Sequence, residues 1–271
     1  MKRSFIPSLY VNKRSKTSSH SRSSQSTSAE RHDTSDGAVQ ADEDIKDHDL
    51  PSETKASLIY LKSLFNVHHF EERVPPIFLK HQLYSIIHCK TQVDKEVDEL
   101  REKKEIKLFR FGKDVDEFCI VFVDDYCDHV RKIASGLSLS PVIERFLSEI
   151  IKKLNNITFT RQTLCDVHGF KDQEIGQLVN AGLLTARDVG SWWLSIPGAG
   201  VFMKNFSKGR EAVLRAIRKS RYREILQKEL EGRKLQAVKK LGMMYLIHDI
   251  IGAELVRTIK TTSGTLLRLD E

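Results

Sequence analysis

The chain of 271 residues is poor in cysteine, with 4, and in proline, with 6. Cys89, Cys119, Cys127 and Cys165 stand 30, 8 and 38 residues apart, a spacing of neither a disulfide framework nor a paired zinc knuckle. Buried free thiols in a reducing compartment are expected. The 10 histidines are scattered; His68-His69 and the Cys165/His168 pair lack partners at ligand spacing, so no metal is expected. No apolar run approaches the ~20 residues of a membrane span. The broken apolar start (Phe5, Ile6, Leu9, Tyr10, Val11) is too short for a signal peptide. Catalytic signatures are missing too. There is no GxxxxGK[ST] loop, GxSxG or HExxH, and Gly198-Ala199-Gly200 is only a GxG fragment. The glycine loop, strand lysine, HRD-like loop and DFG that kinase chemistry needs do not occur. His248-Asp249 reads as the start of a helix, where Asp is an ordinary first-turn residue. The expectation is a protein without enzymatic activity, cofactor or membrane partner.

What the sequence does have is a concentrated cationic region. Net charge is +7, yet residues 1–50 hold 8 basic and 8 acidic side chains and residues 51–200 hold 20 and 21. The excess lies in residues 201–271, with 16 against 8, and within 201–240 it is 13 against 4. On a helix, Lys204, Lys208, Arg215, Arg218 and Lys219 fall on one side, with Phe206, Val213 and Ile217 opposite; Gly209 is a point where this helix is expected to break. Arg221, Arg223, Arg233, Lys234, Lys239 and Lys240 extend the charge. Long cations on one wall, anchored by an apolar wall behind, suit a phosphate backbone and carry no base readout. The bland alternative is a solvated helical face. The only tryptophans, Trp192 and Trp193, alternate faces in a strand, and packing between neighbouring modules is favoured over base stacking.

Residues 1–52 read as a disordered tail, because the Ser-, Thr- and charge-rich stretch cannot bury enough apolar surface to offset chain entropy. Lys2-Arg3 and Lys13-Arg14-Ser15-Lys16 together resemble a two-part nuclear import signal.

From residue 53 the periodicity predicts a helix over 55–65, a short helix over 80–88 and a third capped by Thr91. Strands over 106–112 and 117–123 follow, around a turn at 113–116. Helices ending in a hairpin are the winged-helix order, in which the third helix can enter a DNA groove. The order recurs. A helix runs from Ser140 to Lys153, a strand covers 157–160, helices cover 162–168 and 171–181, and a hairpin covers 182–198. A third copy has helices over 201–219, 221–231 and within 241–260, and a terminal hairpin over 261–269. The fold expected is helix-rich α+β: three tandem winged-helix modules over 53–125, 126–200 and 201–271 after the tail.

The runs LVNAGLLTARDVGSWWLSIPGAG (178–200), FMKNFSKGREAVL (202–214), KSRYREIL (219–226), HDIIGAELV (248–256) and TTSGTLLRL (261–269) resemble the serine/threonine-protein kinase 19 family. The likeness extends more loosely through PPIFLKHQLYSII (75–87), FVDDY (122–126) and HGFKDQEI (168–175), but does not cover 18–50. The resemblance implies a nuclear, non-enzymatic protein that binds double-stranded DNA, dimerising on it, in transcription-coupled nucleotide excision repair. Its implied partners are the stalled RNA polymerase II assembly, the Cockayne-syndrome complex and the TFIIH helicase. The DNA contacts it implies are Lys204, Arg218, Arg221, Arg233 and Lys234; at Arg221 and Lys234 the family has the other basic residue, which keeps charge and changes geometry. A protein kinase is disfavoured, and a module that binds only proteins is the remaining alternative.

Overall fold

Ser52 begins the first element: its hydroxyl accepts the Lys55 amide at 3.3 Å and caps α1 (Glu53–Leu64), which buries Leu58 and Leu61. The computed structural model describes residues 51–112, 117–135 and 140–269. The expected disordered tail up to residue 50, with Lys2, Arg3, Lys13, Arg14 and Lys16, lies outside the described residues, as does the turn over 113–116.

After α1 the chain forms β1 (Phe78–Leu79), α2 (Lys80–Tyr84), α3 (Lys90–Glu102), β2 (Ile106–Arg110) and β3 (Phe118–Phe122). The three strands make an antiparallel sheet in the order β1-β3-β2. Then come α4 (Val123–Ala134), α5 (Ser140–Phe146) prolonged by a π-helical turn over Leu147–Ile151, β4 (Thr158–Thr160), α6 (Asp172–Asn180), β5 (Leu184–Asp188) and β6 (Ser191–Leu194). Their sheet has the order β4-β6-β5. The last stretch forms α7 (Ala199–Arg218), β7 (Glu224–Leu226), α8 (Gln227–Gly232), α9 (Met243–Gly252), β8 (Arg257–Thr261) and β9 (Gly264–Arg268), with sheet order β7-β9-β8. The fold is thus helix-rich α+β with small antiparallel sheets. In each sheet the third strand to form lies between the first two.

Several local expectations are corrected. Cys89 rather than Thr91 holds the cap position of α3, and its side chain makes no capping bond. The helix expected over 80–88 ends at Tyr84. The segment expected as a helix near 162–168 widens into a π-helical turn over Thr163–Val167. The stretch 221–231 is not one helix: Arg221–Arg223 is a 3-10 turn in which Tyr222 and Arg223 take positive φ, β7 follows, and the α-helix covers only Gln227–Gly232. α4 was not anticipated; it runs across position 125/126, as α7 does across 200/201. Gly209 does not break α7. It is buried, and a Cβ there would sit 2.7 Å from Leu246 Cδ1, so glycine lets α9 approach.

One continuous core joins the sheets. Phe111 at the end of β2 packs on Phe202 and Phe206 of α7, and Phe202 meets Phe65 and Tyr245. Each such buried ring contributes about 2 kcal/mol over an exposed one. α9 also locks onto α2 through polar groups. Gln82 Nε2 donates to the Tyr245 carbonyl at 2.9 Å, and Tyr245 donates to the Ile77 carbonyl at 2.7 Å. Asp249 is the seventh residue of α9, not a first-turn residue. It is fully buried, taking both arms of Arg210 at 2.6 and 2.8 Å with His81 Nε2 at 2.7 Å. The charge is therefore paired and hydrogen-bonded, the condition under which a buried carboxylate is tolerated.

Candidate nucleic-acid interface

α7 is one unbroken helix whose inward side is apolar. Phe202, Phe206, Val213 and Ile217 are buried, which fixes the rotation of the helix about its axis. That rotation turns Lys204, Lys208, Arg215 and Arg218 outward, and all are exposed. Lys219 caps the C-terminus, where a cation also favours the helix dipole. Arg221 is exposed in the following 3-10 turn. Arg233 and Lys234 lie beyond α8, Lys234 exposed and Arg233 half-buried.

Their pairing differs. Lys204, Lys208, Arg218, Lys219, Arg221 and Lys234 have no carboxylate partner among the described residues, whereas Arg215 pairs with Glu211 one turn away. Arg233 binds Glu229 at 2.7 Å and the Ala216 carbonyl at 3.4 Å, so it also ties α8 to α7. Exposed pairs of this kind are worth at most about 1 kcal/mol and yield readily to phosphate. Arg210, inside the same basic stretch, points inward to Asp249 and is not part of the ledge.

Two further features stand beside this face. A cavity of about 400 Å³ beside α7 gathers Lys208, Lys239 and Lys240 with the uncharged donors Asn205 and Gln236. Its wall includes no carboxylate. Tyr222 is 73% exposed in the middle of the arginines. Its signal in the sequence was only its place in the run Arg221-Tyr222-Arg223.

The other helical faces carry mixed charge. The third helix before each hairpin is α3, α6 or α9. α3 exposes Asp98 and Glu99, and α6 begins with Asp172 and Glu174, the latter accepting the Lys171 amide at 2.7 Å. α9 is mostly buried between α2 and α7, so it cannot enter a groove. Trp192 packs against the core, while Trp193 meets Arg110 from β2 and Arg187 from β5, at 4.9 and 4.8 Å from its ring centre. The pair thus fills the joint between the first two sheets.

An apolar cleft of about 620 Å³ between β2, β6 and α7 is lined in part by Cys119, but burial pushes that thiol up to about 12. Ser85 donates to the Gln82 carbonyl at 2.6 Å, and its hydroxyl oxygen lies 2.8 Å from His248 Nδ1. Among the described residues no three His, Cys, Asp or Glu side chains converge as a metal site.

Residues 48–269 match the family model described as Inactive serine-threonine protein kinase 19. The Homo sapiens and Xenopus laevis proteins named Winged helix repair factor 1 are each 44% identical, over 221 and 223 residues. Each alignment covers 82% of this chain, and they cover 87% and 86% of those proteins. The Schizosaccharomyces pombe protein named Serine/threonine-protein kinase mug51 is 30% identical over 106 residues, 37% of this chain and 35% of its own.

Proposed function

The chain belongs to the inactive serine-threonine protein kinase 19 family, and from that premise we propose that it is a non-enzymatic, tandem winged-helix repair factor that binds duplex DNA. Each sheet with its preceding helices is one module in this reading, the three together filling 53–271. The names of the relatives, Winged helix repair factor 1, support both the module and the repair role.

The DNA-binding part rests chiefly on the outer face of α7. Four exposed cations stand along 20 residues of helix whose opposite face is buried, so they cannot rotate away. Phosphates are the natural partner of such a row. α3 and α6 offer no comparable row of unpaired cations, since Lys95, Arg101, Arg145 and Arg161 beside them are tied to Glu99, Asp98, Glu174 and Asp172, and α9 is covered. DNA therefore lies against α7 and the loops beside it, by contacts to the backbone and not by a helix in the major groove. The first two modules then face protein partners: the stalled RNA polymerase II assembly, the Cockayne-syndrome complex and the TFIIH helicase. The site of action is the nucleus, in transcription-coupled nucleotide excision repair, with two copies able to share one DNA.

A salt titration of duplex binding tests the core of this reading. The logarithm of affinity is expected to fall linearly with the logarithm of salt, and Lys204→Glu with Arg218→Glu to flatten the slope by about 1 per cation removed. Affinity indifferent to salt, or unchanged by both substitutions, overturns it.

A further inference from the structure

We infer that Tyr222 is a stacking platform for an unpaired base, so that the DNA held on α7 is preferred where a duplex gives way to single strand. The inference rests on the duplex-binding reading above and adds the kind of DNA to it.

A tyrosine 73% exposed is unusual for a side chain with so large an apolar ring. Its backbone is more unusual still. Tyr222 has φ 58 and ψ 17, and Arg223 follows with φ 55, so two consecutive side-chain-bearing residues occupy the left-handed region. That conformation is costly for a residue with a Cβ, and it persists only when the surroundings impose it. They do so here. The Ser220 hydroxyl donates to the Ala216 carbonyl at 3.1 Å, the Arg223 amide to the Ser220 carbonyl at 3.0 Å, and the Leu269 amide to the Arg223 carbonyl at 3.1 Å. The turn is thus clamped between the end of α7 and the end of β9. The clamp does not serve the core, since Arg221, Tyr222 and Arg223 are all exposed. A preformed turn that holds a ring in water is what a stacking contact needs, because little side-chain or loop entropy is left to lose on binding.

The surroundings say what the ring receives. The Arg221 guanidinium lies 4.9 Å from the ring centre and leaves most of the side chain in solvent. Arg218 and Lys219 end the helix just before the turn, and sheet register brings Arg257 and Arg268 to the same end of the sheet. Glu224, the nearest acidic residue in sequence, is bound to Arg268. An aromatic face with the Arg221 guanidinium beside it, in the run Arg218 to Arg223, fits a planar heterocycle attached to a phosphate chain. A paired base inside a duplex has both faces covered by its neighbours. The ring can therefore take only a base that is unpaired, at an end, a gap or a junction.

Binding to three labelled DNAs decides the matter: a blunt duplex, the same duplex with a single-stranded extension, and the same with an abasic extension of equal length. The abasic arm keeps the phosphates and removes the bases. Wild-type protein is expected to bind the base-bearing extension about ten-fold more tightly than the abasic one. Tyr222→Asn, a residue that tolerates the left-handed backbone, should erase that difference while keeping blunt-duplex affinity, and Tyr222→Trp should retain it. Thermal melting establishes that the variants are folded. Equal affinity for the two extensions in wild type, or a difference that survives Tyr222→Asn, overturns the inference. So does an equal loss on all three DNAs, which would make Tyr222 a general backbone contact. Failure of the duplex reading looks different: none of the three DNAs binds.

Discussion

Lys107 on β2 is 3% exposed, and its ammonium donates to the Leu154 carbonyl of the following segment, with no carboxylate paired to it among the described residues. Burial, with the Lys104 and Arg101 charges beside it, lowers its pKa from 10.5 to about 8. The consequence for stability has a definite sign. Below pH 8 the amine is protonated in both folded and unfolded chains, and the cost of the buried charge is present in full. Between about 8 and 10.5 the folded protein releases the proton while the unfolded chain keeps it, so stability rises with pH, by at most about 3 kcal/mol. Lys107→Met should therefore melt higher relative to wild type at pH 7 than at pH 10. Melting temperatures of the two proteins across that range check this; a constant gap contradicts it. At this scale the sequence was a partial guide. The alternation of Trp192 and Trp193 was legible. The inward turn of Arg210 was not, because charge counting cannot see that Asp249, 39 residues on, is waiting in the core.

Among elements, α9 shows how tightly the pieces are fitted. Its Gly252 lies against α2, and a Cβ added there would collide with the His81 carbonyl, a backbone atom that cannot swing aside. Gly252→Ala is expected to destabilise the protein by about 3 kcal/mol, typical of severe overpacking. Gly200→Ala, where a Cβ meets nothing, is the control and should cost little. Denaturant unfolding of both variants is the measurement. Elements with a clear period were legible from residue order alone: α1 from its apolar stripe, though not its start at Ser52, and α7 from its split between cations and aromatics, though not its continuity through Gly209. α4 was missed for a physical reason. Val123, Tyr126, Cys127, Val130 and Ala134 make a good helical stripe, but Phe122 passes from strand to helix with no glycine, proline or side-chain cap. β7 was missed because it is three residues long and the break before it lies in Tyr222 and Arg223, which ordinarily avoid positive φ.

At the scale of the molecule, the continuity of the core and the placement of the charge combine into one expectation about how the protein comes apart. The first sheet touches α7 through Phe111, α2 holds α9 through Asp249, and α4 hands the Tyr126 hydroxyl to the Ser195 carbonyl and His129 to the Pro197 carbonyl, at 2.9 and 3.1 Å. Each sheet is thus buried partly by elements from outside its own segment, unlike beads on a string, which melt one by one. The chain supplies a convenient local probe, since both tryptophans lie on β6 in the second sheet. Tryptophan fluorescence reports that sheet and its joint with the first, while far-ultraviolet circular dichroism reports all helices. The two unfolding curves should coincide in wild type. Asp249→Ala leaves Arg210 buried without its counter-charge, at a cost of about 3–5 kcal/mol, and frees α9 from α2. In that variant the dichroism should fall first, with the tryptophan signal following at higher denaturant. Separate curves in wild type would show that the segments fold independently. The ledge on α7 would then have to be held by the last segment alone.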